Sequence, residues 1–145
     1  MTLDQLGVKY RTDKASAHHD YLNTYEQYLK KYKGKEIVLV DATGGYEFID
    51  RGGESLRMWA EYFPQATIIG IDIYEKMLDI PPNVKLFKCN QASSNGMNKI
   101  FDMVGKPTVF IDDFSHFNKE TIETFEIVFP LLNNGGIYIV EDIEG

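Results

Sequence analysis

Four apolar runs in this sequence end on acids. Ile37-Val38-Leu39-Val40 leads to Asp41, and Ile68-Ile69-Gly70-Ile71 leads to Asp72. Thr108-Val109-Phe110-Ile111 leads to Asp112-Asp113, and Ile137-Tyr138-Ile139-Val140 leads to Glu141-Asp142. One acid after an apolar run is an ordinary cap or turn residue. Four such ends gathered on one rim would repel one another unless a cation or ligand offsets them. Asp113, Glu141 and Asp142 offer the hard oxygen donors that suit Mg²⁺. His116 follows Asp113 by three residues, and a neutral imidazole there is a general base suited to neutral pH. Its alternative use is to cap the next helix or pack under a loop. Asp72 lies 19 residues after Gly53, near the spacing of about 20 at which an acid meets a ribose in dinucleotide folds. A carboxylate there accepts hydrogen bonds from both ribose hydroxyls of an adenosine; the alternative is that Asp72 starts a turn. Gly44, Gly45, Gly52 and Gly53 would let backbone approach a ligand closely. They do not form G-x-G-x-x-G, which argues against a nicotinamide dinucleotide.

The elements that must position these residues follow from periodicity. Tyr21, Leu22, Tyr25, Tyr28, Leu29 and Tyr32 recur at helical spacing, with Gly34 as a stop signal. Ile37 to Val40 reads as a strand buried on both faces. Ser55 is a candidate cap for a helix through Leu56, Met58, Trp59 and Tyr62, closed by Pro64. Further strands are expected over Ala66 to Ile73, Val84 to Cys89, Thr108 to Ile111 and Ile137 to Val140. Helices are expected over Met97 to Val104 and from Asn118 or Lys119 to Leu132. Strands alternating with helices predict an α/β fold, a parallel sheet of about five strands covered on both faces. Ligands of such sheets bind beyond the carboxyl ends of the strands, where the acids lie. An N-terminal helical segment, residues 1–34, is expected to pack on a core domain of residues 35–145.

Composition limits the function. The 145 residues suit one domain, and 43% hydrophobic content with 19 aromatics supports a substantial core. A net charge of −7 disfavours binding to nucleic-acid backbones or anionic membranes. A single cysteine, Cys89, forms no internal disulfide and fits a reducing, cytoplasmic location. No secretory h-region precedes Tyr10, and no apolar run approaches the roughly 20 residues of a membrane span.

The order and spacing of several short pieces resemble a family of class I S-adenosylmethionine-dependent sugar O-methyltransferases. That family includes metal-dependent macrolide-sugar and polysaccharide methyltransferases and, more distantly, cephalosporin hydroxylase-like proteins. The pieces are Leu6-Gly7-Val8-Lys9-Tyr10 with Thr12-Asp13-Lys14, Tyr25-Glu26, Ser55-Leu56-Arg57-Met58-Trp59, Glu61-Tyr62-Phe63-Pro64 and Ile69-Gly70-Ile71-Asp72-Ile73. Ile111-Asp112-Asp113 with Ser115-His116, Phe125-Glu126, Phe129-Pro130 and Gly135-Gly136-Ile137-Tyr138 before Glu141-Asp142 complete the likeness. The resemblance implies a Rossmann-like sheet using S-adenosyl-L-methionine and Mg²⁺. It implies cofactor contacts at Tyr10, Thr12, Lys14, Asp41, Gly44, Gly45, Ser55, Asp72, Gln91 and Asp112. It implies that Tyr10, Thr12 and Lys14, together with Asp13, approach the amino-acid end, and that Gln91 falls where the family contacts adenine. It implies a metal at Asp113, Glu141 and Asp142, with His116 and Asp113 catalytic and a sugar or small-molecule hydroxyl as acceptor.

The sequence departs from the family at three places. Val40-Asp41-Ala42-Thr43 precedes Gly44-Gly45 where the family reads Glu-x-Gly, and Arg11 and Phe114 replace glycines. The family sheet also continues with two more strands, in the order 3-2-1-4-5-7-6, beyond the point where this sequence ends. The fifth strand is therefore expected to expose an edge that a partner or second copy covers. These departures keep a second function open, a cofactor-binding module without turnover.

Overall fold

The computed structural model describes residues 1–16, 20–43, 53–113 and 118–141. Among them lies a five-stranded, all-parallel sheet in the order β3-β2-β1-β4-β5. The strands are β1 (Val38–Thr43), β2 (Thr67–Asp72), β3 (Val84–Lys88), β4 (Val109–Asp113) and β5 (Ile137–Val140). The helices are α1 (Leu3–Tyr10), α2 (Leu22–Leu29), α3 (Glu54–Tyr62), α4 (Ser94–Val104) and α5 (Asn118–Val128). The sheet therefore has the α/β, Rossmann-like arrangement expected from strands alternating with helices.

Alternation along the strands divides the core into two layers. Leu39, Ile68, Val109 and Ile111 pack with Leu3, Leu22, Leu56 and Trp59 of α1, α2 and α3. Val40, Ala42, Ile69, Ile71 and Phe110 pack with Met97, Ile100 and Val128 of α4 and α5. Gly70 sits where β2 meets α3: a Cβ there would lie 2.7 Å from Leu56 Cδ1 and 2.9 Å from Leu86 Cδ2. The central strands are buried, whereas β5 is half-buried throughout, as an edge strand is among the described residues.

Several boundaries differ from the periodicity. β1 continues through Asp41 to Thr43, so Asp41 lies inside the strand rather than at its end. Ser55 does not cap α3: Gly53, at φ 87°, is the N-cap, and the Ser55 hydroxyl is used elsewhere. α4 begins before Met97 because Ser93 caps it, its Oγ accepting from Gly96 N at 3.2 Å. The helix expected through Tyr32 ends at Leu29 and tightens into a 3-10 turn over Lys30–Tyr32. α5 likewise gives way to a 3-10 turn at Phe129–Leu131, where Pro130 has no N–H for a helical bond.

α1 ends in a turn that matters for the site. Arg11 takes the left-handed conformation, φ 61° and ψ 33°. Its N–H donates to Val8 O at 3.2 Å, and Thr12 N–H donates to Gly7 O at 3.1 Å. These are the paired bonds of a Schellman cap, in which glycine is the usual left-handed residue. The reversal sends Thr12 to Lys14 back into the molecule, where Thr12 and Lys14 are buried.

Candidate cofactor and metal site

Because side chains alternate, Asp112 and Asp113 face opposite sides of the sheet. Asp112 is level with Ala42 and faces the α4 and α5 layer. Its Oδ1 accepts from Gln91 Nε2 at 2.7 Å. Gln91 follows β3, so this bond joins the β3–α4 loop to β4 with β2 and β1 between them in the sheet order. Both residues are buried, and Gln91 Oε1 has no hydrogen-bond partner among the described residues. Tyr138 stacks on Phe110 nearby, and burial together with Asp112 pushes its phenol above the ordinary range.

The opposite face holds the other acids. Asp41 is fully buried, and its Oδ2 accepts from Ser55 Oγ at 2.8 Å and Trp59 Nε1 at 3.0 Å. Its Oδ1 has no partner among the described residues. Glu141 N donates to Asp112 O at 3.0 Å, which extends the β4–β5 ladder and brings Glu141 beside Asp113. Lys14 reaches both: its Nζ is 3.0 Å from Asp113 Oδ2 and ion-paired with Glu141 Oε2. Burial disfavours charge on Lys14, but Asp41, Glu141 and Asp113 overcome it and hold the ammonium above the ordinary lysine range. Burial raises Asp113 and pushes Glu141 up to about 8, with Lys14 opposing both and the neighbouring acids reinforcing both. Burial thus comes first for the two acids, and the mutual repulsion of the carboxylates adds to it, whereas for Lys14 the acids outweigh burial. Tyr25 joins it, its phenol pushed up by burial and by Glu141.

The other residues singled out in the sequence sit as follows. Asp72 ends β2 and is buried; its Oδ1 accepts from Tyr74 N at 2.9 Å, the bond of a turn-forming aspartate. Thr12 is buried, and its Oγ1 accepts from Lys14 N at 3.3 Å. Tyr10 donates to Glu61 Oε1 at 2.6 Å on the surface of α3, alongside Lys9. His116, Gly44, Gly45 and Asp142 lie outside the described residues. Trp59 and Tyr25 read in the sequence only as apolar-face residues. A buried Trp or Tyr carries a polar atom that needs a partner, and that was the available signal.

The donor set fits the groups the resemblance implies. Asp113 on β4 and Glu141 just after β5 are hard donors that already share a cation, the Lys14 ammonium. Gln91 Oε1 is a buried acceptor, the kind of atom that an adenine amino group would satisfy. Among the described residues no group of three or more His, Cys, Asp or Glu side chains is arranged to hold a metal by itself.

Comparison with known proteins follows the same lines. No protein-family model matches the chain. It is 33% identical over 140 residues to the 8-demethyl-8-alpha-L-rhamnosyl tetracenomycin-C 2'-O-methyltransferase of Streptomyces olivaceus, covering 96% of this chain and 37% of that protein. It is 30% identical over 141 residues to the L-olivosyl-oleandolide 3-O-methyltransferase of Streptomyces antibioticus, covering 97% and 36%. Its structure matches the MycE methyltransferase from the mycinamycin biosynthetic pathway in complex with Mg and SAH at a TM-score of 0.90. That match has 31% identity and covers 98% of this chain and 37% of the other. A further MycE complex, with Mg, SAH and mycinamycin VI, matches equally. The chain thus spans little more than a third of the length of the relatives it matches. Through nearly all of its own residues, then, the chain is homologous to sugar O-methyltransferases, consistent with the class I S-adenosylmethionine-dependent family that its sequence resembles.

Proposed function

We propose that this chain forms the cofactor- and metal-binding part of an S-adenosylmethionine-dependent, Mg²⁺-assisted O-methyltransferase whose acceptor is a hydroxyl of a sugar or sugar-bearing small molecule. The observation that carries the proposal is the buried rim. Asp72, Asp112, Asp113 and Glu141 lie at the carboxyl ends of parallel strands, with Asp41 just inside the end of β1 and all but the half-buried Asp113 buried, in a fold matching a methyltransferase complex with Mg and SAH. The acceptor class rests on the names of the relatives and on mycinamycin VI in the MycE complex.

When bound, the cofactor supplies an electrophilic sulfonium methyl group and the metal lowers the pKa of the acceptor hydroxyl. The chain's own residues do the rest. Asp72 accepts from the ribose hydroxyls, and Gln91, fixed by its bond to Asp112, presents Oε1 to the adenine. Ser55 and Trp59 hold Asp41 in the floor of the rim. Asp113 and Glu141, with Asp142, supply the metal's oxygen donors. His116 takes the proton from the acceptor hydroxyl. Residues 1–34 act as a helical segment packed on the 35–145 core, closing the rim through Lys14.

The test is methyl transfer from labelled S-adenosylmethionine to a panel of glycosides, with calorimetry of S-adenosylhomocysteine binding alongside. Metal-dependent labelling of a sugar oxygen supports the proposal. Binding without labelling supports the second reading, a cofactor-binding module without turnover, which the Asp41-Ala42-Thr43 departure at β1 favours. Absence of binding contradicts both.

A further inference from the structure

The acidic rim carries a cation of its own. Lys14 is only 1% exposed, yet it belongs to no regular element. It reaches the rim because the left-handed turn at Arg11 reverses the chain after α1. Its ammonium bridges two strands, touching Asp113 on β4 and Glu141 just after β5. Burying an ammonium is unfavourable unless it is paired, and burying neighbouring carboxylates without a cation is equally so. The three groups therefore satisfy one another, and Lys14 Nζ occupies the position between two carboxylates that any shared cation would take.

We propose that Lys14 is the resident counter-ion of this rim, and that a divalent cation binds Asp113 and Glu141 only by displacing the Lys14 ammonium from between them. The inference rests on the reading that these acids hold the metal. A divalent ion sits about 2.0–2.1 Å from its carboxylate oxygens. An ammonium kept within hydrogen-bond reach of the same oxygens would then lie within a few ångströms of it. Two cations that close in a poorly solvated site repel strongly. The flexible four-carbon stem of lysine lets the ammonium withdraw towards water. Metal-free protein is then held together by Lys14, and metal entry is an exchange of one cation for another.

The experiment uses Mn²⁺ as the probe on the full chain. Lys14→Met removes the charge and keeps the stem; its Mn²⁺ affinity should be at least roughly tenfold tighter than wild type, since no charge has to be displaced. Lys14→Arg, which keeps a cation, should bind no tighter than wild type. Acetylation of wild-type lysines read by mass spectrometry gives an answer even if Lys14→Met does not fold. Lys14 should be protected without metal and become reactive at saturating Mn²⁺. Wild-type binding that leaves Lys14 as protected as before, or equal affinity in Lys14→Met, overturns this inference alone. Saturable binding by neither protein overturns the metal reading and this inference with it.

Discussion

Asp41 shows how much of the site depends on single bonds. Its Oδ2 is fully buried and held only by the Ser55 hydroxyl and the Trp59 indole among the described residues. Trp59→Phe keeps an aromatic ring but leaves Asp41 Oδ2 with Ser55 as its one donor among the described residues, so it should destabilise the fold by about 1–3 kcal/mol, the cost of losing a buried hydrogen bond to a carboxylate. Urea unfolding of wild type and variant measures this, and an unchanged midpoint would show that the indole bond is dispensable. Cys89 gives a pH prediction. Burial raises its thiol above the ordinary 9.0, so the folded chain carries less thiolate than an unfolded one at any pH below that. Its reaction with a disulfide reagent at pH 8 should be slower in folded protein than in urea, and the folded pH–rate midpoint should lie above 9.0. Equal rates would mean an exposed thiol. The acids themselves were legible in the sequence, because apolar runs ending on carboxylates stand out. Their partition was not. One residue of strand register decides a face, so which of Asp112 and Asp113 shares the side of Asp41 appears only once β4 is paired with β1.

At the scale of elements, the strands were legible because fully buried parallel strands read as continuous apolar runs. Helix ends were less so, since caps depend on backbone angles that residue types suggest but do not decide. Gly53 rather than Ser55 caps α3, and eight-residue α1 shows no long apolar stripe. The αL turn after α1 falls on arginine where the family has glycine. Arg11→Gly should stabilise the fold by about 1 kcal/mol by removing left-handed strain from a residue with a Cβ. Thermal unfolding checks it, and a loss of stability would mean that the arginine side chain matters more than the backbone. Gly70→Ala should act in the other direction. The added methyl meets Leu56 and Leu86 at under 3 Å, and overpacking of this kind costs about 1–3 kcal/mol. Retained stability in that variant would show that α3 can shift away from β2.

Over the whole molecule, a net charge of −7 coexists with a cluster of carboxylates, mostly buried, whose cost has to be offset by a cation such as Lys14 or by a ligand. Among the described residues no helix is long and apolar enough to cross a membrane, and the −7 charge is spread over a chain whose matches are sugar O-methyltransferases. The buried Lys14 that joins the N-terminal segment to β4 and β5 could not be read from spacing, because the contact spans 99 residues to Asp113 and 127 to Glu141. The proposed function depends on an adenosine cofactor held at the carboxyl end of this sheet through Asp72. The direct measurement is calorimetric titration of S-adenosylhomocysteine into wild type and Asp72→Ala. Wild type should bind saturably, and the variant should lose about 1.5–3 kcal/mol, the range for hydrogen bonds to a charged group. Unchanged affinity in a folded Asp72→Ala protein would contradict this role of Asp72.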